Sequence, residues 1–366
     1  MLDASGMRAL KANVVTTSES SAHFTFTQAM LQKHATGDTL ESAFAAVIEP
    51  CAGDSFLAST KMLPVQANDA DAKKAVAVEV MTKNGHADIC FADGYPEKVR
   101  AFQSGADSFR AAGEFACYSS DAQGLRLATV AGGTTLDGPA LKLKLGRREH
   151  TGKVVKVDYL AKALWLDAPW PAACAGKVFE IGSPENMTSY TSASVSAENG
   201  GSKIVVTRGA DAYRSPLTEV LPAEKTLRGS LHVDPASTKA KNLVASNDTM
   251  TKFWRVDHVI GGEFKVTGGA FSTADFAPSG ALRLWEYGVG DTVRQSTMCA
   301  VRRIAERTYD VSGDADAVVS FKAAAVEISA DGKAWQPARA AAEGGWQNVA
   351  ITAAELSKGP VYLRTK

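Results

Sequence analysis

Histidine and cysteine are the side chains most able to do chemistry near neutral pH, and this chain spaces both widely. Its six histidines are His23, His34, His86, His150, His232 and His258. None forms an HxH or HExxH pair, so no two of them are pre-set as zinc ligands. The most suggestive is His258, in Trp254-Arg255-Val256-Asp257-His258. Strand alternation puts Trp254, Val256 and His258 on one face, which points to a core-facing, hydrogen-bonded histidine rather than a general base. The five cysteines, Cys51, Cys90, Cys117, Cys174 and Cys299, contain no CxxC. A zinc or thioredoxin-like site is not expected, an odd number leaves at least one thiol free, and inert buried thiols are the default. A disulfide stays open, with a pairing that spacing does not reveal.

Other chemistries fare no better. No GxSxG elbow offers an exposed serine nucleophile. Gly261-Gly262 and Gly268-Gly269 precede neither GK[ST] nor a helical pattern, so they read as hairpin turns rather than phosphate loops. Asp310–Asp316 (DVSGDAD) has the oxygen density that hard cations favour, but the EF-hand spacing is absent and an acidic surface turn is expected. No catalytic residue, no metal ligand and no cofactor is assigned.

Aromatic rings remain, and a flat ring buries the C–H face of a pyranose. Candidates are Trp254, Trp285, Tyr287, Trp335 and Trp346 towards the C-terminus, with Trp165 and Trp170 in the middle. On Leu282–Tyr287 the two leucines share one face and Trp285 and Tyr287 the other. If the leucines face the core, Trp285 and Tyr287 point outward as an aromatic pair in need of a partner. Trp285, Tyr287 and Trp254 are therefore the carbohydrate-binding candidates. The alternative is that the pair packs beneath another domain or loop. Trp335 follows Asp331-Gly332 as in the SxDGxxW hairpin of many β-sandwich modules, where the tryptophan is core.

The elements that would position these residues are strands. Val76, Val78 and Val80 share a face, Asn84-Gly85 predicts a type I′ hairpin turn, and Ile89 and Phe91 follow. Thr39–Val65 predicts a strand ending at Val47-Ile48-Glu49-Pro50, a Gly53-Asp54 turn, and a strand closed by Pro64. Val155, Val157 and Tyr159 alternate, then Leu164 and Leu166. Ile204-Val205-Val206 follows Asn199-Gly200-Gly201, and Val326 and Ile328 precede Asp331-Gly332. Val361–Leu363 is the last strand. Helix is scarce: short turns are predicted at Pro96–Phe102, Ala338–Ala342 and Thr352–Leu356. The fold class is all-β, antiparallel β-sandwich domains in two or three units with very little helix. Expected borders are 1–105, 106–232 and 242–366, with Pro216–Lys241 as a connector.

A chain of 366 residues with 45% hydrophobic side chains can bury more than one core. Lys+Arg 40 balances Asp+Glu 40, so no global field draws it to nucleic acid. The local strip Lys142, Lys144, Arg147, Arg148 and Lys153 reads as a solvated strand face. No apolar run spans a bilayer and no signal peptide precedes the strand at Met7–Val15. The natural chain is expected to extend upstream of Met1.

The order of several segments resembles the β-rich half of the heparinase II/III-like polysaccharide lyases. Gly6–Ala12, His23–Gln32 and Phe44–Pro50 are similar to successive strands of that region. Phe115-Ala116-Cys117-Tyr118, Gly124-Leu125 and Gly132-Gly133-Thr134 resemble its middle. Thr151–Val155, Val157-Asp158-Tyr159, Leu166-Asp167 and Gly176 to Gly182 resemble its later unit, and Trp285–Asp291 ahead of Arg302-Arg303 its C-terminal extension. The resemblance implies an upstream α/α toroid carrying the tyrosine, histidine and asparagine or arginine that abstract the uronate C5 proton. No segment here matches that toroid, nor the family's His-Asp-Tyr run. It therefore implies a non-catalytic β portion of a bacterial, periplasmic or secreted lyase, which buttresses the toroid and lines a cleft for an acidic polysaccharide. A glycan-binding module with exposed aromatics is the alternative, and a self-sufficient glycan-active enzyme the weakest reading.

Overall fold

The computed structural model describes residues 8–17, 23–32, 47–49, 53–68, 74–183, 186–233 and 243–366, the first two stretches as backbone only. The chain is all-β and its ladders are antiparallel. Alternation builds it: Leu141, Leu143 and Leu145 are buried on one strand while Lys142 and Lys144 between them face outward. Of the basic strip, these two therefore occupy the solvent side of a half-buried strand. Among the described residues, no helix is long and apolar enough to cross a membrane.

Three cores are nested rather than strung in line. A ten-stranded and a seven-stranded sheet sandwich the first. Its centre is a stack running from Phe91 in one sheet through Phe102 to Phe109 in the other, with centroids 5.5 and 5.6 Å apart. Both sheets draw on each end of the chain, five strands from either end in the larger and four and three in the smaller. Gly124–Ala131 pairs with Met298–Ala305 in one, and Leu141–Leu145 with Ala317–Phe321 in the other. Between those two sets of strands the chain forms a closed six-stranded barrel from Glu149–Asp158, Ala163–Leu166, Val178–Ser183, Asn186–Glu198, Gly201–Val206 and Thr292–Ser296. Between the last two of these strands it forms a closed five-stranded barrel, from Asp211–Leu221 to Ala281–Trp285. The ladders thus cross the borders expected near 105 and between 232 and 242. Nesting joins strands far apart in sequence, and a linear reading of composition does not reveal it.

Several local expectations change. Pro216–Lys241 is not a connector as far as it is described: Asp211–Leu221 and Thr226–Val233 are paired barrel strands. Pro96 begins a turn rather than a helix, because the Asp93 carboxylate accepts from the backbone N–H of Tyr95 and from Arg100 Nε, which pulls the chain directly into the strand Arg100–Ser104. Ala340–Glu343 is a strand paired with Trp346–Ile351, not a helical turn. The helical turn at Ala353–Leu356 does form, capped by Thr352 and Glu355 in a reciprocal box. Only Gly85 of the Asn84-Gly85 pair has positive φ, so that turn is not type I′. The Thr82–Ala87 connection is longer, held by Thr82 N–H to His86 O. The two-residue turn with both φ positive is instead Asn199-Gly200. Val47–Glu49 are not in a strand. Glu49 spends its carboxylate on the backbone N–H groups of Phe56 and Leu57, and the expected strand's other residues lie outside those described.

Candidate functional site

The three rings predicted to bind sugar are not at the surface. Trp285 and Tyr287 are each 1% exposed and Trp254 3%. The reason is the nesting: one segment serves two barrels. Leu282 and Leu284 fill the five-stranded core, and the opposite face of the same segment, Trp285 and Tyr287, fills the six-stranded one. Trp285 stacks on Tyr159 at 4.0 Å and donates its indole N–H to Ser246 Oγ. Tyr159 O–H donates to the Tyr287 carbonyl at 2.8 Å. Trp254 packs against Phe271 and Phe276. Trp285 and Tyr287 thus do not point outward; the alternative, packing beneath another unit, is what the structure shows, since a second core covers the face a single sandwich would leave bare. Trp335 departs the other way: it is half-buried at the edge, beneath the Arg364 guanidinium.

The structure brings other residues together where chain passes between the sandwich and the six-stranded barrel. His150 lies in the strand Glu149–Asp158 and Gln295 opposite it, its register partner in Thr292–Ser296. Cys174 ends a single 3-10 turn, Ala172–Cys174, and Asp314 follows the strand Thr308–Gly313. A ring nitrogen of His150, Cys174 Sγ and a carboxylate oxygen of Asp314 lie within 4.8 Å of one another, all buried. Asp314 is 0% exposed, so the expected acidic surface turn is overturned. Its Oδ2 accepts from Lys177 Nζ at 2.6 Å and Gln295 Nε2 at 3.2 Å, and Oδ1 from the Met298 N–H at 2.8 Å. Asp310 is buried as well and pairs with Arg302.

The electrostatics of this cluster run towards neutrality. Burial pushes the Cys174 thiol up to about 12, against the pull of Lys177. Burial also holds His150 below its usual range, although the Asp314 carboxylate opposes this. Facing the Asp314 carbonyl at 2.9 Å, His150 Nε2 must carry the proton, which leaves Nδ1 with a bare lone pair and no partner. Gln295 Oε1 is likewise unpartnered. Thiolate, imidazole and carboxylate are zinc-type donors. A metal here would have to displace the Lys177 ammonium from Asp314 and strip a strongly held thiol proton. As arranged, the group is a closed polar lock between two cores, sealed from substrate.

An open site lies on the outside of the same barrel. Trp165 is half-buried, and its register partners on either side are Lys156 and Lys203. Their ammonium groups sit 4.2 and 5.1 Å from the ring centroid. A bulge between Val154 and Lys156 turns Val155 outward, 53% exposed, rather than into alternation with Val157. Gly201 lets this part of the barrel close, because a Cβ there would run into the Leu166 carbonyl oxygen. The result is a groove of about 470 Å³ lined by Val155, Lys156, Trp165, Asp167, Glu198 and Asn199. The two carboxylates on its rim partly offset the two lysines, and Asp167 also accepts from the Lys153 N–H. A second, more apolar groove of about 240 Å³ lies between the barrels, lined by Val157, Tyr159, Val244, Phe253, Arg255 and Val289.

Sequence reasoning named Trp165 as one ring among several but did not distinguish it. Cys174 and His150 were named without a role, and Lys177 and Gln295 were missed. His86 sits beside Arg126. The side chains of His23, His34, His232 and His258, and Cys51, lie outside the described residues. No family model, no curated protein and no solved structure matches the chain.

Proposed function

We propose that the chain is a non-catalytic scaffold that presents a glycan-binding face, the β-rich portion of a heparinase II/III-like polysaccharide lyase. In that role the nested cores stand against an upstream α/α toroid and line one wall of a cleft for an acidic polysaccharide. The observation that carries the reading is the row Lys156–Trp165–Lys203 on the open side of the six-stranded barrel. The two ammonium groups held over the ring suit a glycan's carboxylate or sulfate, and a sugar that stacks on the indole takes the place of the lysine over that face. The all-β architecture agrees with the role, and the segment resemblance names the family.

Two measurements test it. The isolated chain incubated with heparin or alginate is expected to generate no absorbance from unsaturated uronate. Turnover abolished by a point change within residues 1–366 would overturn the non-catalytic assignment. In affinity electrophoresis, gels containing either polymer are expected to retard the chain, and Trp165→Ala to run free.

A further inference from the structure

Two thiols meet on the outer face of the ten-stranded sheet. Cys90 and Cys117 are direct register partners on the strands Ala87–Ala92 and Phe115–Asp121. Alternation sends Ile89, Phe91, Ala116 and Tyr118 into the core and both cysteines to the opposite, half-buried side. Their Sγ atoms are 3.7 Å apart. Directly opposed residues on antiparallel strands have Cα separations inside the range a disulfide spans, so only side-chain rotation is needed to close the bond. We propose that Cys90 and Cys117 form a reversible cross-strand dithiol/disulfide site that a low-molecular-weight disulfide oxidises.

The step is ordinary exchange. One thiol of the pair loses its proton, and its thiolate attacks one sulfur of glutathione disulfide, releasing one glutathione as the thiolate. The second protein thiol loses its proton and attacks the protein sulfur of the mixed disulfide, releasing the second glutathione. Two protein thiols are oxidised by two electrons to one S–S bond, the oxidant's S–S bond is reduced, and two glutathione thiols carry the protons away. Mutual hydrogen bonding assists the first deprotonation: the neighbouring S–H supports a thiolate, which lowers Cys90, while the remaining thiol is raised. The buried cysteines differ, since burial, reinforced by the Asp314 charge, pushes Cys174 and Cys299 up to about 12.

The bond would close a loop with structural meaning. Residues 93–114 leave the ten-stranded sheet, build the hairpin Arg100–Ser104 and Asp107–Ala112 at the edge of the seven-stranded sheet, and return. Oxidation would clip this excursion at its base, raising Tm by about 5–10 °C through the restricted unfolded chain.

The test treats the folded chain carrying Cys51→Ser with glutathione disulfide, followed by alkylation, peptide mapping and thermal melting. The expected product is a Cys90–Cys117 linked peptide, with Cys174 and Cys299 alkylated only after unfolding and the higher Tm reversed by dithiothreitol. Adding Cys90→Ser or Cys117→Ser should stop the reaction at a mixed disulfide on the remaining thiol, with no rise in Tm. Recovering both thiols unlinked, or both as stable glutathione adducts, would overturn the proposal. The glycan experiments read a different face of the molecule, so either idea can fail without the other.

Discussion

Two polar groups share the six-stranded barrel and could hardly be used more differently. At the junction, His150, Cys174, Gln295 and Asp314 are sealed, Lys177 balances the one carboxylate, and burial drives the thiol and the imidazole towards their neutral forms. On the outside, exposed Lys156 and half-buried Trp165 line an open groove, and half-buried Lys203 flanks the ring. Residue type alone would rank the first group as the reactive one. Access reverses the ranking: donors that no ligand reaches hold cores together, while a modest cation–aromatic row remains free to meet a partner.

The comparison breaks most readily through the cores. Trp285→Ala removes a fully buried ring from the six-stranded core and should cost about 3–5 kcal/mol of unfolding free energy in urea melts. A loss below about 1 kcal/mol would mean that the ring is not buried as described. At the junction, Lys177→Met leaves the Asp314 carboxylate buried without its ion-pair partner. Loss of one partner of a buried pair costs about 3–5 kcal/mol. Lys177 is 26% exposed, so water can partly replace it and about 3 kcal/mol is expected by chemical denaturation. Lys177→Met combined with Asp314→Asn should recover part of that loss. Trp165→Ala should change stability by less than about 1 kcal/mol, as befits a partly exposed strand position, while abolishing polysaccharide retention.

The smallest effect is a pH slope. His150 folded titrates below its ordinary value of 6.5, so the unfolded chain takes up the proton first. Its contribution is constant above that value, and stability declines as pH falls below about 6.5. His150→Gln should flatten this decline in urea melts recorded at several pH values, whatever its offset at neutral pH. An unchanged slope would show that the imidazole is not held neutral.

What the sequence made legible was period two. Leu141, Leu143 and Leu145, the Thr352–Leu356 cap, and the shared face of Trp254 and Val256 all follow from local alternation or capping chemistry. What it concealed was long-range. Strand Ala281–Trp285 carries large apolar side chains on both faces, Leu282 and Leu284 on one and Trp285 on the other, yet only the meeting of two barrels explains why all three are buried. The junction joins His150 to Asp314 across more than 160 positions, and neither residue's neighbours carry a spacing signature. A bulge at Val155, worth one residue of register, was enough to turn an apparent core valine outward beside Trp165.

The central claim is that the outward row on the six-stranded barrel meets an acidic glycan. Electrophoretic mobility of the chain through gels with and without heparin or alginate, for the native protein and for Trp165→Ala with Lys156→Ala and Lys203→Ala, tests it most directly. The account predicts retardation of the native chain that disappears in the triple variant while its melting temperature stays nearly unchanged. A native chain that migrates equally in all gels, or retardation indifferent to these three residues, would contradict it.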